Sequence, residues 1–233
     1  AFGSFGAIDG NIFADEVDWE NRYLNEARRY YTNIVGKYGP QVQMLLKKAS
    51  GVEINMICPL HGYVWRKDLG KFIDLYQKWS TYTPEINSVL IAYASVYGGT
   101  QNAAEILATE LTELGVKDIK MFDVSVTHSS YVVSDAFKYS HIVFASTTYN
   151  NGIFVEMENL LHDIVAHNLQ NRKFAIIENG SWAPQAGRLM TELLSQLKNN
   201  EIIGTGVSIK SAVKSEKRDD LKNLAKAIVE TMN

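Results

Sequence analysis

Residues 88–102 read SVLIAYASVYGGTQN, and the change of rhythm inside them decides the fold. The opening run, SVLIAYA, is almost unbroken apolar sequence, as expected of a strand covered on both faces. Two adjacent glycines among hydroxyls follow. From residue 100 to 114 the apolar positions Ala103, Ile106, Leu107 and Leu111 then recur at helical spacing. A buried strand, a glycine turn and a helix are the opening unit of a parallel α/β sheet.

The same rhythm repeats toward the end of the chain. VKDIKMFDV (116–124) alternates like a strand nearer an edge, and SDAFKYS (134–140) reads as a short helix capped by Ser134. HIVFAS (141–146) is a second buried strand, 153–167 is helical, and KFAIIEN (173–179) is the next strand. Pro184 can open the helix that runs to about Leu197. EIIGTGVSIK (201–210) and an amphipathic helix over 216–232 complete the series. Five strands alternating with helices predict a five-stranded parallel sheet with helices on both faces.

In the other direction, STYTPEIN (80–87) is a polar stretch containing Pro84 and reads as a linker. The 233 residues therefore divide into a piece of about 83 residues and an α/β domain over 84–233. Composition narrows the function classes. With 46% apolar and 21% charged residues the chain is globular, and a net charge of −3 with scattered lysines and arginines gives no face for nucleic acid. The longest apolar runs fall far short of the roughly 20 residues that span a bilayer, so neither nucleic acid nor membrane is expected as a partner. Cys58 is the single cysteine, which excludes an internal disulfide and fits a reducing cytoplasm.

A parallel sheet of this kind binds its ligand beyond the carboxyl ends of the strands, where the winding reverses. The loops there are SVYGGT (95–100), TTYNNG (147–152) and GSWAPQAG (180–187). Gly98 and Gly99 let backbone approach an anion closely, Ser95 and Thr100 add hydroxyls, and the following helix offers unpaired N–H groups and a positive dipole end. The lysine of a triphosphate loop is absent, and so is GxGxxG, although Asp123 ends the second strand as a dinucleotide site would require. Neutral donors suit one terminal phosphate. Tyr149 and Trp182 stand in loops rather than on apolar stripes, and a flat ring between them would gain stacking. Asn150, Asn151 and Gly152 can read the edge of a heterocycle, and an isoalloxazine fits this set. The plainer reading makes the glycines a simple strand-to-helix turn and Trp182 a cover for the sheet end.

On these loops, residues 88–233 resemble a flavodoxin-like domain. The resemblance implies a five-stranded parallel sheet of order 2-1-3-4-5 and FMN as cofactor. Carried over by position, Ser95, Val96, Tyr97, Gly98, Gly99 and Thr100 would hold the phosphate. Thr147, Thr148, Tyr149, Asn150, Asn151 and Gly152, with Ser181, Trp182 and Ala183, would hold the ring. Two departures stand out: Ser146-Thr147-Thr148-Tyr149 lacks the proline common at this position in the family, and Ser181 stands where glycine is usual before the tryptophan. Serine disfavours the positive φ that glycine permits, so the contact to flavin N5 there would be altered.

The first 83 residues extend the resemblance. AFGSFGAIDGNIF (1–13), WENRYLNEARRYYTNIVGKYGPQVQ (19–43), INMICPLHGYVWR (54–66) and YQKWS (76–80) together resemble the last part of the metallo-β-lactamase-like αββα domain of flavodiiron proteins, which precedes a flavodoxin-like domain. The resemblance makes His61, in PLHG, the final iron-ligating histidine. The earlier HxExDH ligand segment of that family does not occur here, and an aspartate ligand usually stands just before the stretch matching AFGSFG. The chain is accordingly expected to be a fragment of a protein of roughly 400 residues. On that basis it would bind FMN, with a diiron centre only where the missing N-terminal part is supplied.

For the intact protein the resemblance implies reduction of O2 to water, of NO to N2O, or both. Electrons would come through FMN from a rubredoxin-like protein or reductase, in a cytoplasmic head-to-tail homodimer. A separate chain carrying the N-terminal half is a further expected partner. The competing classes are a flavodoxin-like FMN electron carrier without diiron chemistry and a non-catalytic interaction module with empty loops. His162 and His167 fall on different helix faces and form no metal pair, and His128 and His141 read as surface or strand-end residues.

Overall fold

A computed structural model describes residues 2–6 and 8–232; Ala1 and Ala7, both in the AFGSFGAIDG stretch, and Asn233 lie outside the described residues. The chain forms two compact units, one up to Pro84 and one from Glu85.

The first unit is helical, with α1 (Trp19–Arg22), α2 (Leu24–Ile34), α3 (Gly39–Ala49) and α4 (Leu69–Ser80). Asp18 starts α1 by accepting the Asn21 N–H, and Pro40 sits in the first turn of α3, where its missing N–H has no partner to lose. Helical spacing along α2 and α4 brings Tyr31, Phe72, Tyr76 and Trp79 inside, each at most 1% exposed. Trp65 stacks on Phe72 at 4.3 Å between centroids and 10° between planes. The core is thus aromatic, and its dispersion energy comes from ring contact more than from aliphatic interdigitation. Residues around Ile57, Val64 and Trp65 are extended, with isolated bridges Ile57 to Trp65 and Phe13 to Val64.

The second unit is the predicted α/β sheet. Its strands are β1 (Ile86–Ala94), β2 (Lys120–Asp123), β3 (Tyr139–Tyr149), β4 (Gly152–Ile153), β5 (Lys173–Asn179), β6 (Glu201–Ile202) and β7 (Val207–Ile209). The order is β2-β1-β3-β5-β6, with β7 also on β5 and β4 on β3. This is the expected order 2-1-3-4-5 with two additions. The last expected strand is broken at Gly204-Thr205-Gly206 into two short parallel partners of β5. The stretch TTYNNG makes a hairpin, pairing Thr148 with Ile153 and Tyr149 with Gly152 antiparallel.

The helices are α5 (Gly99–Glu113), α6 (Ser129–Lys138), α7 (Val155–Ala166), α8 (Ala186–Leu194) and α9 (Ser215–Glu230). Val89, Ile91, Val143, Ala145, Ala175 and Ile177 form one core with α5 and α9. Alternate residues, among them Leu90, Ile142, Phe144 and Phe174, point to the other face and are also fully buried. Burial on both faces is what the unbroken apolar runs require.

Local chemistry moved three boundaries. The sequence places a helix start at Ser134; α6 begins five residues earlier because the His128 side chain accepts the Ser130 N–H and caps it. β1 begins at Ile86, inside the stretch read as linker, and Glu85 N–H already donates to Lys138 O. α8 begins at Ala186 rather than at Pro184, because the Thr148 hydroxyl accepts the N–H groups of Gln185 and Ala186 at 3.0 and 3.1 Å. No helix among the described residues is long and apolar enough to cross a membrane.

Candidate functional site

β1, β3 and β5 lie side by side and parallel, so their carboxyl ends open at one edge of the sheet. A cavity of about 430 Å³ lies at this edge. Ser95, Val96, Tyr97, Gly99 and Thr100 line it from the first predicted loop, Thr147, Thr148 and Tyr149 from the second, and Ser181 and Trp182 from the third. None of the lining residues is charged.

The two glycines do different jobs. Gly98 has φ +83°, a left-handed conformation in which an L side chain is strained, and nothing lies within 4 Å of where its Cβ would be. Gly99 has an ordinary φ but no room: a Cβ there would collide with the Ser211 carbonyl and lie 2.9 Å from Asn179 Nδ2. The turn is tightened by the Ser95 hydroxyl, which accepts the Gly98 N–H at 3.0 Å. The first turn of α5 therefore starts at the cavity wall, and among the described residues its N-cap, Gly98, makes no side-chain cap.

The walls are tied to one another. Thr100 is fully buried, and its hydroxyl lies 2.9 Å from that of Thr147, joining the first loop to the second. Thr148 joins the second to the third through its cap on α8. At the rim, Tyr97 and Trp182 are 98% and 96% exposed, whereas Tyr149 is half-exposed and meets Phe154 edge-on at 5.8 Å. The rim thus offers rings with free faces.

Five predicted residues do not line the cavity. Asn150 and Asn151 have φ +48° and +59° and form the tip of the β3–β4 hairpin, with Gly152 pairing across it. Two positive φ values in a two-residue turn are the geometry that asparagine tolerates, so the turn itself accounts for the Asn-Asn pair. Gly98 shapes the first loop from behind, and Ala183 lies outside the lining. Conversely, Asn179, Ser211 and Ala212 line the cavity although sequence reasoning missed them, and Gly180, the first residue of the third predicted loop, lines it too. Asn179 is the last residue of a strand and Ser211 follows one, so the carboxyl-end rule applied to every strand would have reached both. Asp123, the residue compatible with a dinucleotide ribose, instead accepts the Ser125 N–H at 2.9 Å and closes its own turn.

His61 lies in the first unit, exposed, on the loop joining the bridged segments at Ile57 and Trp65. With Ser4, Tyr30, Ile34 and Leu60 it borders a groove of about 760 Å³, and its ring is 5.9 Å from that of Tyr30. Among the described residues no group of three or more His, Cys, Asp or Glu side chains is placed to hold a metal ion.

The sequence pattern of the flavodoxin family matches residues 91–223. The chain belongs to the flavodoxin family. This flavodoxin-family chain is also 26% identical over 222 residues to the anaerobic nitric oxide reductase flavorubredoxin of Aeromonas hydrophila, covering 93% of this chain and 42% of that protein. The structure of rubredoxin oxygen:oxidoreductase from Desulfovibrio gigas superposes with a TM-score of 0.91 at 24% identity, over 99% of this chain and 57% of that one. The flavodiiron protein of Giardia intestinalis gives 0.89 at 23%, with the same coverages. The fold over both units is therefore that of flavodiiron proteins, and the chain spans about half the length of the relatives it matches.

Proposed function

We propose that this chain binds FMN at the carboxyl ends of β1, β3 and β5 and forms the electron-transfer part of a flavodiiron oxidoreductase reducing O2 to water, NO to N2O, or both. One observation carries the reading: an uncharged glycine turn at a helix N-terminus shares a cavity with exposed aromatic rings, which is what a monophosphate joined to a flat heterocycle requires. The matched family and the likeness of both units to flavodiiron proteins support it.

The residues present fit that group. The N–H groups at the start of α5, with the hydroxyls of Ser95 and Thr100, would receive the phosphate, and Gly98 and Gly99 let the backbone reach it. Thr147, Thr148, Tyr149, Ser181 and Trp182 would flank the ring, with the Asn150-Asn151-Gly152 turn and Ala183 behind them. Bound there, FMN would supply one- and two-electron transfer. The protein's part is to fix the ring, stack on it and limit water at its face.

Iron is a different case. His61 alone does not fit a diiron centre, since no metal-holding group accompanies it among the described residues. In this reading residues 1–83 belong to a metallo-β-lactamase-like domain, 84–233 are the FMN domain, and the remaining ligands come from sequence beyond these residues or from a separate chain. A rubredoxin-like donor is proposed from the likeness to the rubredoxin oxygen:oxidoreductase of Desulfovibrio gigas, and a head-to-tail homodimer from the flavodiiron resemblance. The single cysteine, Cys58, supports a reducing, cytoplasmic setting.

The test is direct. The purified chain is expected to be yellow or to take up FMN stoichiometrically after reconstitution, with quenching of flavin fluorescence; failure of both sinks the cofactor assignment. Supplying the N-terminal half is expected to confer iron binding and consumption of O2 or NO, and absence of iron from the joined protein would reduce the function to that of an FMN electron carrier.

A further inference from the structure

We infer that the turn after β7, through Ser211 and Ala212, is a fourth wall of the FMN cavity, and that Asn179 is the positioning residue that holds it against the phosphate loop. The inference rests on the cofactor reading above and assigns a role to residues outside the three predicted loops.

The parallel ladder between β5 and β7 runs to its last pair, Asn179 with Ile209, and Gly180 N–H still donates to Ile209 O at 3.1 Å. Beyond that point the Asn179 side chain takes over. Its Nδ2 donates to Ser211 O and its Oδ1 accepts the Ser211 N–H, both at 2.9 Å, so one amide reproduces the paired bonds of a further ladder rung. Asn179 is only 6% exposed, so these bonds are shielded from competing water. Ser211 has φ +64°, a left-handed conformation strained for an L residue, which persists where surrounding bonds over-determine it.

Two contacts make this turn part of the site. The Ser211 carbonyl is packed against Gly99, and the Ser211 hydroxyl lies 2.9 Å from the Ser181 hydroxyl. One turn thus touches both the phosphate loop and a ring loop, and Ser211 and Ala212 complete the cavity wall. A carbonyl beside an anion site repels the anion less when its oxygen accepts a hydrogen bond. The Asn179 Nδ2 donor supplies one and fixes the carbonyl against Gly99, so the backbone N–H groups at the start of α5 remain set for the phosphate.

This predicts an effect confined to the phosphate end of the ligand. Asn179→Asp keeps size and the acceptor for the Ser211 N–H, but sets a carboxylate oxygen against the Ser211 carbonyl and adds negative charge near the phosphate. FMN affinity should fall about 100-fold, in keeping with losing a hydrogen bond to, and adding charge near, a charged group, while riboflavin, which has no phosphate, should change less than about threefold. Asn179→Ala, which only releases the turn, should cost FMN about tenfold and again spare riboflavin.

The experiment titrates the apo chain and both variants with FMN and with riboflavin, following flavin fluorescence, with thermal melting of each apo form alongside. Wild-type chain that binds no FMN overturns the cofactor reading itself. Wild-type chain that binds FMN, combined with variants that lose FMN and riboflavin equally or lose neither, overturns the role of Asn179 while leaving that reading intact. Should the aspartate variant melt below the working temperature, the FMN-to-riboflavin ratio of the alanine variant decides by the same criterion.

Discussion

The imidazole Nε2 of His141, near the start of β3, lies 3.0 Å from the hydroxyl of Thr231, in the turn that ends α9. The Ser140 hydroxyl is 2.7 Å from its Nδ1, and Lys173 Nζ donates to Thr231 O at 2.8 Å. Asn87 Nδ2 donates to Met232 O at 2.7 Å, so the starts of three strands, β1, β3 and β5, together hold the end of the last helix.

Burial, and secondarily the Lys173 charge, push His141 down to about 4. The folded protein therefore prefers the neutral ring. This contribution to stability is fully present above the ordinary histidine value near 6.5, and it is lost as pH falls from there toward 4, because the unfolded chain takes up the proton first. The full loss is about 3 kcal/mol. Denaturant unfolding followed between pH 7 and 4 should show this slope, and His141→Gln should flatten it; an unchanged slope in that variant would mean that other groups govern the acid limb.

Gly98→Ala and Gly99→Ala should separate by magnitude. At Gly98 the only cost is strain of about 1–2 kcal/mol, since the surrounding space is open, and FMN affinity should fall about tenfold or less. At Gly99 the added methyl must displace the Ser211 carbonyl or the start of α5, so binding should fall by more than about 100-fold. Parallel FMN titrations check the order, and equal losses would contradict it.

Trp182, 96% exposed at the rim, should become a stacking partner when FMN binds. Its fluorescence should be quenched on titration, and Trp182→Ala should weaken FMN by about tenfold, in line with a ring contact worth about 0.5–1.5 kcal/mol beyond its buried area. Tyr149→Ala should cost less, because that ring already meets Phe154. Trp182→Ala with undiminished affinity would remove the tryptophan from the site.

Arg172 has a structural part. Fully buried, its guanidinium donates to the carbonyls of Ala136, Phe137, Gln170 and Asn171, closing the end of α6. Burial pulls it down to about 9. Arg172→Met should cost about 3 kcal/mol or more, because it leaves buried carbonyls without donors. Thermal melting would register this, while FMN affinity of the folded fraction stays level; a loss of affinity without a loss of stability would count against a purely structural part.

Much of the fold was legible because its signals are local. Runs such as HIVFAS and KFAIIEN are buried on both faces and so read as continuous apolar strands, and KFAIIEN coincides with β5 end to end. The helix starts were less legible wherever the cap is unusual, as with His128 at α6, or remote, as with Thr148 capping α8 across 37 positions. The turn made by Asn150 and Asn151 was not legible, because an Asn-Asn pair has the same letters whether or not it makes a two-residue turn.

By itself, then, the sequence determined the alternation of strands and helices, the sheet edge where the loops gather, and a glycine turn that carries no cation. Those depend on periodicity, glycine and residue type, all of which act over a few positions. Only the tertiary structure decided that Asn179 and Ser211, 32 positions apart, meet at Gly99, and that His141 is sealed against Thr231. Such contacts depend on which strands become neighbours and how far each extends, quantities set by packing of the whole sheet rather than by any short stretch of chain.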